Sequence, residues 1–183
     1  WTLIQRRSSR DLAFNRSWEE YKNGFGDPGG ANYWMGLERI HLMTNLHRYS
    51  LRVDLESFLN ETTYAKYEEF SLQCEADNYT LHINGYTGNA GNALQYEEMN
   101  GRRLHDGLAF STPDQDHDQH PDGNCAQLFQ SGWWFNRCYW ANLNGVYRAS
   151  TDSYCTNGQC IAWKTAPGHR DVSFKKTSMW IKP

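Results

Sequence analysis

An acidic stretch between Asp114 and Cys125 holds the residues whose types and spacing are best suited to chemistry. It places aspartates at alternating positions, Asp114, Asp116 and Asp118. Three carboxylates held this close repel one another, and a hard cation such as Ca²⁺ relieves the repulsion because it takes about six to eight oxygen ligands. The sequence therefore predicts a calcium site here, and a solvated acidic loop without an ion is the alternative.

The residues that follow Asp118 form a turn suited to completing such a site. They read His120-Pro-Asp-Gly123, and the backbone carbonyls of such a turn can point toward a cation. An EF-hand is excluded by the spacing, because counting from Asp114 places Gln119 where that loop requires glycine and Cys125 where it requires glutamate. The predicted site is therefore a calcium loop of another kind.

No catalytic constellation is visible elsewhere in the chain. Neither Ser111 nor Ser131 lies in a nucleophile elbow, and three acids on one tight loop suit a cation better than proton transfer across a substrate. The seven histidines show no metal-ligand spacing; they are His41, His47, His82, His105, His117, His120 and His169. We therefore expect a protein that is not an enzyme.

The five cysteines lack paired Cys-x-x-Cys spacing, which argues against a zinc site and favours disulfides. We pair Cys125 with Cys138. Cys155 and Cys160 enclose an Asn-Gly turn, so a second local disulfide is predicted there. Cys74 is left over as a buried free thiol, or it pairs with a segment or chain outside these residues.

Three N-glycosylation sequons, at Asn15, Asn60 and Asn78, agree with the disulfides in predicting a secreted, extracellular protein. The formal net charge of −3 gives no basic field for nucleic acid, and Arg6-Arg7, Arg102-Arg103 and Lys175-Lys176 are isolated basic pairs. No apolar run approaches the roughly 20 residues of a membrane span, and the first residues do not form a signal peptide.

The N-terminal half supplies regular elements that must position the acidic loop. Ser17 is a helix N-cap with Gly24 ending the helix, and a second helix over 36–45 is expected to bury a stripe of four apolar residues, Leu37, Ile40, Leu42 and Met43. Alternating residues predict antiparallel strands at Trp1–Gln5, Tyr49–Leu55, Tyr64–Phe70 and Tyr79–Ile83.

The remainder of the chain is predicted to be loops. Turn residues crowd together beyond Gly85, so we divide a single α+β domain of 183 residues into a sheet and helices (1–84), a loop-rich region stapled by metal and disulfide (85–171) and a closing strand (172–183, within Val172–Ile181). The abrupt first strand indicates that Trp1 is not the native terminus.

Many short motifs in register resemble the fibrinogen C-terminal domain nearly from end to end. They are Trp1-Thr-Leu-Ile-Gln-Arg-Arg, Tyr21-Lys-Asn-Gly-Phe-Gly-Asp, Tyr33-Trp-Met-Gly-Leu-Glu, Tyr86-Thr-Gly-Asn-Ala-Gly, Phe110-Ser-Thr, Asn124-Cys-Ala, Gly132-Trp-Trp-Phe-Asn-Arg-Cys and Asn142-Leu-Asn-Gly-Val-Tyr. This extracellular family includes fibrinogen, ficolin, tachylectin, angiopoietin, angiopoietin-like and tenascin globes. The resemblance implies three subdomains, of which the N-terminal one is truncated here.

The resemblance also implies the residues of the calcium site. It places the carboxylate ligands on Asp116 and Asp118, and backbone carbonyl ligands near His120 and from Asp122 or Gly123. The loop that follows Asp118 is one residue longer than is usual in the family. His120 is expected to act through its carbonyl, because a hard cation prefers oxygen to imidazole nitrogen.

A ligand pocket beside the calcium loop is the next implication. The resemblance places a cis peptide between Arg137 and Cys138, and in acetyl-binding members the N–H groups at the positions of Cys138 and Tyr139 hold an acetyl carbonyl. The aromatic residues that match those enclosing its methyl group are Phe129, Tyr139 and Tyr154.

This chain departs from the acetyl-binding pattern in ways that bear on ligand choice. Tyr139 stands where those members commonly have histidine, Cys155 replaces a small residue, and the loop to Cys160 is longer than usual. The pocket therefore either survives or is closed by the second disulfide. A fibrin-knob pocket is disfavoured, because Leu128 and Phe129 replace its polar amide and carboxylate.

Two functions follow from the resemblance. One is a lectin of innate immunity that recognises acetylated or other glycan groups, which we favour slightly, and the other is an angiopoietin-like ligand for a cell-surface protein receptor. Tyr139 and Trp140 are either contact residues for such ligands or packing over the disulfide. In either case the full-length protein is expected to be a homo-oligomer through upstream segments, which raises low single-site affinity.

Overall fold

The computed structural model describes residues 1–95 and 105–183, and it confirms the predicted α+β fold class. Arg102-Arg103 lies outside the described residues. The strands are β1 (Thr2–Arg7), β2 (Phe25–Gly26), β3 (Asn32–Trp34), β4 (Tyr49–Glu56), β5 (Thr62–Leu72), β6 (Leu81–Gly88), β7 (Ala141–Asn142), β8 (Ala162–Trp163) and β9 (Lys176–Lys182). The helices are α1 (Trp18–Asn23), α2 (Leu37–Leu46) and α3 (Cys125–Phe129).

Seven strands form the central antiparallel sheet in the order β2-β3-β1-β9-β4-β5-β6, and β7 pairs with β8 separately. The closing strand β9 lies between β1 and β4 and so joins the two ends of the chain. It begins at Lys176, later than the predicted start at Val172. Val172 instead pairs with Tyr154 in an isolated bridge, and Phe174 is buried in the core before the strand begins.

One face of the central sheet carries the apolar core. Along β4, buried residues alternate with half-buried ones, so Leu51, Val53 and Leu55 point inward while Arg52 and Asp54 lie on the opposite face. Successive side chains of a strand point to opposite faces, and the period-two pattern read from the sequence therefore places the strand correctly.

The strand β6 differs from its prediction at both ends. Tyr79 has a positive φ of 49° and precedes the strand, whereas the strand continues through Gly85, where the sequence predicted a loop, as far as Gly88. Gly85 has a φ of 72°, and a β-carbon at this position would lie 2.9 Å from Cβ of Glu68 on β5. Glycine here therefore allows pairing to continue where the turn-residue signal predicted its end.

The first two helices begin close to where the sequence predicts. Ser17 caps α1 in a reciprocal capping box with Glu20, and Gly24 follows the last helical residue. In α2 the buried residues are Leu37, Ile40 and Thr44, whereas Leu42, predicted to be in the buried stripe, is exposed. Thr44 is the third buried residue of this helix. Its hydroxyl donates to the carbonyl of Ile40 and accepts the N–H of Leu72, so its polar group is satisfied in the interior.

Buried polar side chains of β1 attach the loop region to the sheet. Gln5 Nε2 donates to the carbonyl of Leu143 and to Oδ1 of Asn144, both at 3.0 Å. Arg7 donates to the carbonyl of Gly145 at 2.7 Å, and burial lowers the pKa of Arg7 to about 10. The guanidinium is thus still charged at neutral pH, and it fixes the loop that follows the candidate site.

Candidate ligand-binding and calcium site

The loop from Asp116 to Gly123, called the acidic loop below, folds around the carboxylate of Asp118. Oδ1 of Asp118 accepts the N–H of His120 and Oδ2 accepts the N–H of Cys125, both at 2.7 Å. The N–H of Asp118 in turn donates to Oδ1 of Asp116 at 3.2 Å. The two carboxylates that the family resemblance singles out therefore lie in one tight loop.

Asp114 is separated from this pair. Its Oδ1 accepts the N–H of Trp18 at 2.9 Å and the hydroxyl of Thr112 at 2.7 Å. Trp18 is the first residue of α1. A carboxylate at this position accepts a backbone N–H that has no partner within the helix, and its negative charge interacts favourably with the positive end of the helix dipole. The three alternating aspartates therefore have two different roles. Asp114 bonds the start of α1, and Asp116 and Asp118 lie together in the acidic loop.

The donors of the acidic loop suit a hard cation. Within residues 1–95 and 105–183, no three side chains of histidine, cysteine, aspartate or glutamate cluster as a metal site. An ion here would therefore be held by Asp116, Asp118, backbone carbonyls and water. Nδ1 of His120 accepts the N–H of Asp122 at 3.3 Å, so the ring nitrogen is already engaged. An ion would therefore be bound by the backbone carbonyl of His120 rather than by its ring. An all-oxygen donor set fits Ca²⁺.

The electrostatic environment of Asp118 is unfavourable to its charge in the absence of a cation. Burial raises the pKa of Asp118 above its ordinary value, and the nearby Asp116 carboxylate raises it further. The N–H donors at Cys125 and His120 oppose this rise. Backbone donors therefore compensate in part for the burial and repulsion of the acidic pair.

The acidic loop is tied directly to the segment that the resemblance identifies as ligand-binding. Both predicted disulfides are formed, and Cys125–Cys138 links the first residue of α3 to this segment with Cα atoms 5.6 Å apart. The peptide between Arg137 and Cys138 is cis. The N–H of Gln119 in the acidic loop donates to the carbonyl of Asn136 at 3.1 Å, so the loop and the segment form one unit.

Two backbone donors next to the cis peptide are free to bind a ligand. The N–H groups of Cys138 and Tyr139 have no acceptor within the described part of the chain. Cys138 is half-buried, and the neighbouring Arg137 is exposed. Unpaired N–H groups at a partly exposed position can hydrogen-bond a carbonyl or carboxylate oxygen of a partner.

The aromatic residues predicted to enclose an acetyl methyl group are covered by the second disulfide loop. The rings of Phe129 and Tyr139 meet edge to face, with centroids 4.9 Å apart. The hydroxyl of Tyr139 donates to the carbonyl of Gly158, and a β-carbon on Gly158 would lie 2.7 Å from Cε1 of Phe129. Gln159 adds a bond of 2.9 Å from its side chain to the carbonyl of Leu128. The 155–160 loop therefore packs against this aromatic pair.

Tyr154 does not join the aromatic pair. It has a side chain 62% exposed and makes no ring contact within residues 1–95 and 105–183, whereas the adjacent Cys155 is buried. Leu128, whose carbonyl accepts the side chain of Gln159 from the 155–160 loop, is 51% exposed, and its Cδ1 lies 3.9 Å from the β-carbon position of Gly123 in the acidic loop. The structure thus leaves Leu128 exposed beside the acidic loop and Tyr154 exposed at the start of the 155–160 loop. Sequence reasoning had weighed Leu128 only as a mismatch to a fibrin-knob pocket.

A second residue that the sequence did not single out is His105, which positions the segment after the cis peptide. Its Nδ1 lies 2.7 Å from the carbonyl of Trp134, and its Nε2 accepts the N–H groups of Trp140 and Ala141. Burial lowers the pKa of His105 to about 4. The ring is therefore neutral at pH 7, with its proton on Nδ1. An isolated histidine in the sequence carries no signal of this role.

The predicted glycosylation sites differ in exposure. Asn15 and Asn60 are exposed, and Asn60 accepts a bond from Lys175, whereas Asn78 is half-buried in a left-handed turn. Cys74 is a free, half-buried thiol whose Sγ lies 3.2 Å from a carboxylate oxygen of Asp77.

Comparison with known proteins identifies the family. The sequence matches the family described as fibrinogen beta and gamma chains, C-terminal globular domain, over residues 1–183. The chain belongs to this family. The match includes the sheet, the acidic loop and the segment with the cis peptide.

Individual relatives cover the whole chain. It is 42% identical to fibrinogen-like protein 1 of Homo sapiens over 188 residues, spanning all of this chain and 59% of that protein. It is 40% identical to fibroleukin of Homo sapiens over 190 residues, spanning 42% of that protein. The chain thus spans less than two thirds of the length of these relatives.

Solved structures agree on the fold. The fibrinogen-like globe domain of human ANGPTL2 superposes with a TM-score of 0.88 at 37% identity, covering 99% of this chain and 79% of that one. Lamprey fibrin D-dimer, complexed with the peptide Gly-His-Arg-Pro-amide, superposes with a TM-score of 0.89 at 37% identity, covering 100% of this chain and 61% of that one. In the described part of this chain, the helices are too short or too polar to cross a bilayer.

Proposed function

We propose that this fibrinogen-like domain is a secreted, calcium-binding recognition module that binds a protein ligand through the surface beside its acidic loop. We call this the recognition surface and define it by Leu128, Arg137, Tyr154 and the acidic loop. The observation that carries the proposal is that the 155–160 loop covers Phe129 and Tyr139, whereas Leu128 and Tyr154, which adjoin this loop, remain exposed.

The chemistry of the recognition surface favours a protein over an acetylated sugar. The hydroxyl of Tyr139 is engaged by Gly158, so the apolar niche that a methyl group would need is filled by the chain itself. Exposed tyrosine, arginine and leucine side chains around a rigid, disulfide-linked segment are suited to act as anchors in a protein interface. The lamprey fibrin relative, whose structure contains a bound peptide, supports a peptide or protein ligand.

Calcium has a structural role in this proposal. Asp116 and Asp118, with carbonyls of His120 and of Asp122 or Gly123, would hold the ion, which would neutralise the two carboxylates. Since the acidic loop is bonded to Asn136 and Cys125, ordering the loop also fixes the neighbouring donors of the ligand-binding segment. Oligomerisation through other segments of the protein would raise the affinity of such a site.

Recognition of an acetylated glycan is the second candidate, and one observation favours it. The N–H groups of Cys138 and Tyr139 are free of partners within residues 1–95 and 105–183, as an acetyl carbonyl would require. On this alternative the 155–160 loop moves away to admit the methyl group.

Parallel binding arrays distinguish the two candidates. The calcium-loaded domain is applied to an array of cell-surface receptor ectodomains and to an array of acetylated glycans, each repeated with EDTA. We expect binding to a receptor ectodomain and silence on the glycans. Leu128→Ala should weaken receptor binding about tenfold, as expected for an interface anchor. Leu59→Ala, which truncates a leucine 80% exposed outside the recognition surface, is the matched control.

Glycan binding that free N-acetylated sugar competes away would instead establish the lectin function. Equal loss of receptor binding in the Leu128→Ala and Leu59→Ala variants would place the protein interface elsewhere.

A further inference from the structure

A cleft of about 590 Å³ lies on the polar face of the central sheet. Its walls come from β1, β4, β5 and β9, and from Ser8 and Gly30 at one end. None of its lining residues belongs to the acidic loop, to the segment around the cis peptide or to the 155–160 loop. Its volume is in the range of small-molecule binding sites, which is roughly 300 to 1,000 Å³.

Strand register brings a row of polar side chains across four strands in this cleft. Ser178 on β9 pairs with Arg6 on β1 and with Asp54 on β4, and Asp54 pairs with Tyr64 on β5. Directly paired residues of neighbouring strands share one face of a sheet. Arg6, Ser178, Asp54 and Tyr64 therefore form a continuous row along the floor of the cleft.

A second row lies beside the first. Glu56 on β4 pairs with Lys176 on β9 and with Thr62 on β5, two residues along each strand from the first row, and so on the same face. The cleft is thus bordered by cationic, anionic and hydroxyl groups.

The carboxylates of the cleft already have cationic partners. Arg52 donates to Oδ1 of Asp54 at 2.8 Å. The carboxylate of Glu56 forms ion pairs with Nζ of Lys175 at 3.1 Å and with Nζ of Lys176 at 3.0 Å. Hydrogen bonding from Lys176, together with that from Lys175, lowers the pKa of Glu56, so these pairs persist at neutral pH. Neither acid therefore requires a cation from a ligand.

Arg6 has no such partner. One of its terminal nitrogens donates to the carbonyls of Pro28 and Gly30 at 3.3 Å and 3.1 Å, and it forms no ion pair within residues 1–95 and 105–183. Its guanidinium also lies 5.8 Å from the ring centroid of Trp180, which holds it over the sheet. A half-buried guanidinium with unused donors and no counter-charge binds a planar or tetrahedral anion well.

Unpartnered hydroxyl groups face the cation across the floor of the cleft. The side-chain hydroxyls of Thr62 and Tyr64, which lie on the same face of β5, make no hydrogen bond in the described part of the chain. Hydroxyl groups both donate and accept, as the hydroxyls of a sugar ring do. Along β1, β9 and β4, each of which is paired on both sides, a peptide backbone would find no open strand edge in the cleft.

We propose that this cleft is a second binding site, distinct from the recognition surface, for a saccharide unit that carries a sulfate or carboxylate group. Arg6 binds the anionic group, and the hydroxyls of Thr62 and Tyr64 bind the sugar hydroxyls. Since no residue is shared with the acidic loop, binding is independent of calcium.

Matched pairs of disaccharides without acetyl groups test the proposal by calorimetry. Lactose 3′-sulfate is compared with lactose, and cellobiouronic acid with cellobiose, so each pair differs only in the anionic group. We expect binding of at least one charged member, in calcium and in EDTA alike, and at least tenfold weaker binding of its neutral counterpart.

Variants locate the site. Arg6→Gln should weaken binding of the charged sugar at least tenfold, and Tyr64→Phe, which removes only a hydroxyl, should weaken it severalfold. Arg48→Gln is the matched control, because it removes an arginine whose side chain is 67% exposed outside this cleft. If Arg6→Gln fails to fold, the Thr62→Val variant is tested in its place, together with Tyr64→Phe.

Three results would overturn the proposal. Equal weakening by Arg48→Gln would show general charge attraction, and equal affinity for the neutral sugars would exclude an anion site. No binding of either charged disaccharide at millimolar concentration would show that the cleft takes neither ligand.

Discussion

The central sheet and the loop region from His105 to Asp171 are stabilised in different ways. The sheet buries alternating apolar residues such as Leu51, Val53 and Leu55, and each lies in a repeating ladder. The loop region contains only α3, β7, β8 and short 3-10 turns among its described regular elements. Its buried aromatic side chains, such as Trp133, Trp134 and Trp163, pack in the same core, and its backbone is positioned by two disulfides and by single polar groups, namely Asp118, Asp114 and His105.

This difference bears on where the proposed recognition surface lies. Along β4 the buried face follows from apolar alternation, and exchanges between apolar residues of similar volume are tolerated there, whereas a large-to-small change leaves a cavity. A loop held by one carboxylate or one imidazole depends on that group, and the same polar geometry exposes N–H donors beside it. For this reason we place the proposed recognition surface on the loop side.

The largest expected effect comes from the sheet. Leu51→Ala removes a fully buried side chain from β4 and should lower the free energy of unfolding by about 2 to 5 kcal/mol, because it leaves a cavity in a packed core. Denaturant unfolding measures the change. Ser50→Ala, on the opposite face of the same strand, should change it by no more than about 0.5 kcal/mol. Comparable losses in both variants would contradict the one-sided sheet.

Acid should act on the loop region through His105. Its folded pKa of about 4 lies below the ordinary value of 6.5, so between these values the unfolded chain binds a proton that the folded chain does not. The stabilisation is complete above pH 6.5 and is lost as the pH falls toward 4, on the order of 3 kcal/mol in total. Melting temperatures recorded from pH 7 to pH 4 measure it.

Variants separate His105 from the other groups that titrate. His105→Asn should be less stable at pH 7 and should show a flatter decline toward pH 4. His47→Asn, which changes an exposed histidine, should retain the decline of the original protein. An unaltered pH profile in His105→Asn would show that another group is responsible.

A smaller effect should come from calcium. Replacing Asp116 and Asp118 with Asn should abolish most of the rise in melting temperature that calcium produces over EDTA, because the variant lacks both carboxylate ligands. At a calcium concentration 100 times the dissociation constant, the lost stabilisation is about 2.7 kcal/mol. Asp152→Asn, which alters an exposed carboxylate outside the acidic loop, should retain the full calcium effect. Equal melting of all three proteins in calcium would contradict the assignment.

Much of the sheet could be predicted because its signals are local. The N-cap at Ser17 and the alternation along β4 are properties of neighbouring residues, and the structure forms both elements where expected. Leu42 was wrongly placed in the buried stripe of α2, because it lies two residues, about 200° of helix rotation, from Ile40 and is exposed. Gly85 was read as a turn residue, whereas its partner Glu68 on β5 makes it part of a strand.

The amino-acid sequence by itself determined the fold class, the family, the two disulfides and the acidic loop, since alternation, motif spacing and residue chemistry are written along the chain. Only the tertiary structure decided that Asp114 bonds the first residue of α1 and that Gly158 packs against Phe129 and Tyr139. It also decided that Arg6 faces the hydroxyls of β5 across a cleft. These outcomes depend on contacts between residues far apart in sequence. Such contacts are determined by the register of the paired strands and by the disulfides that link the loops.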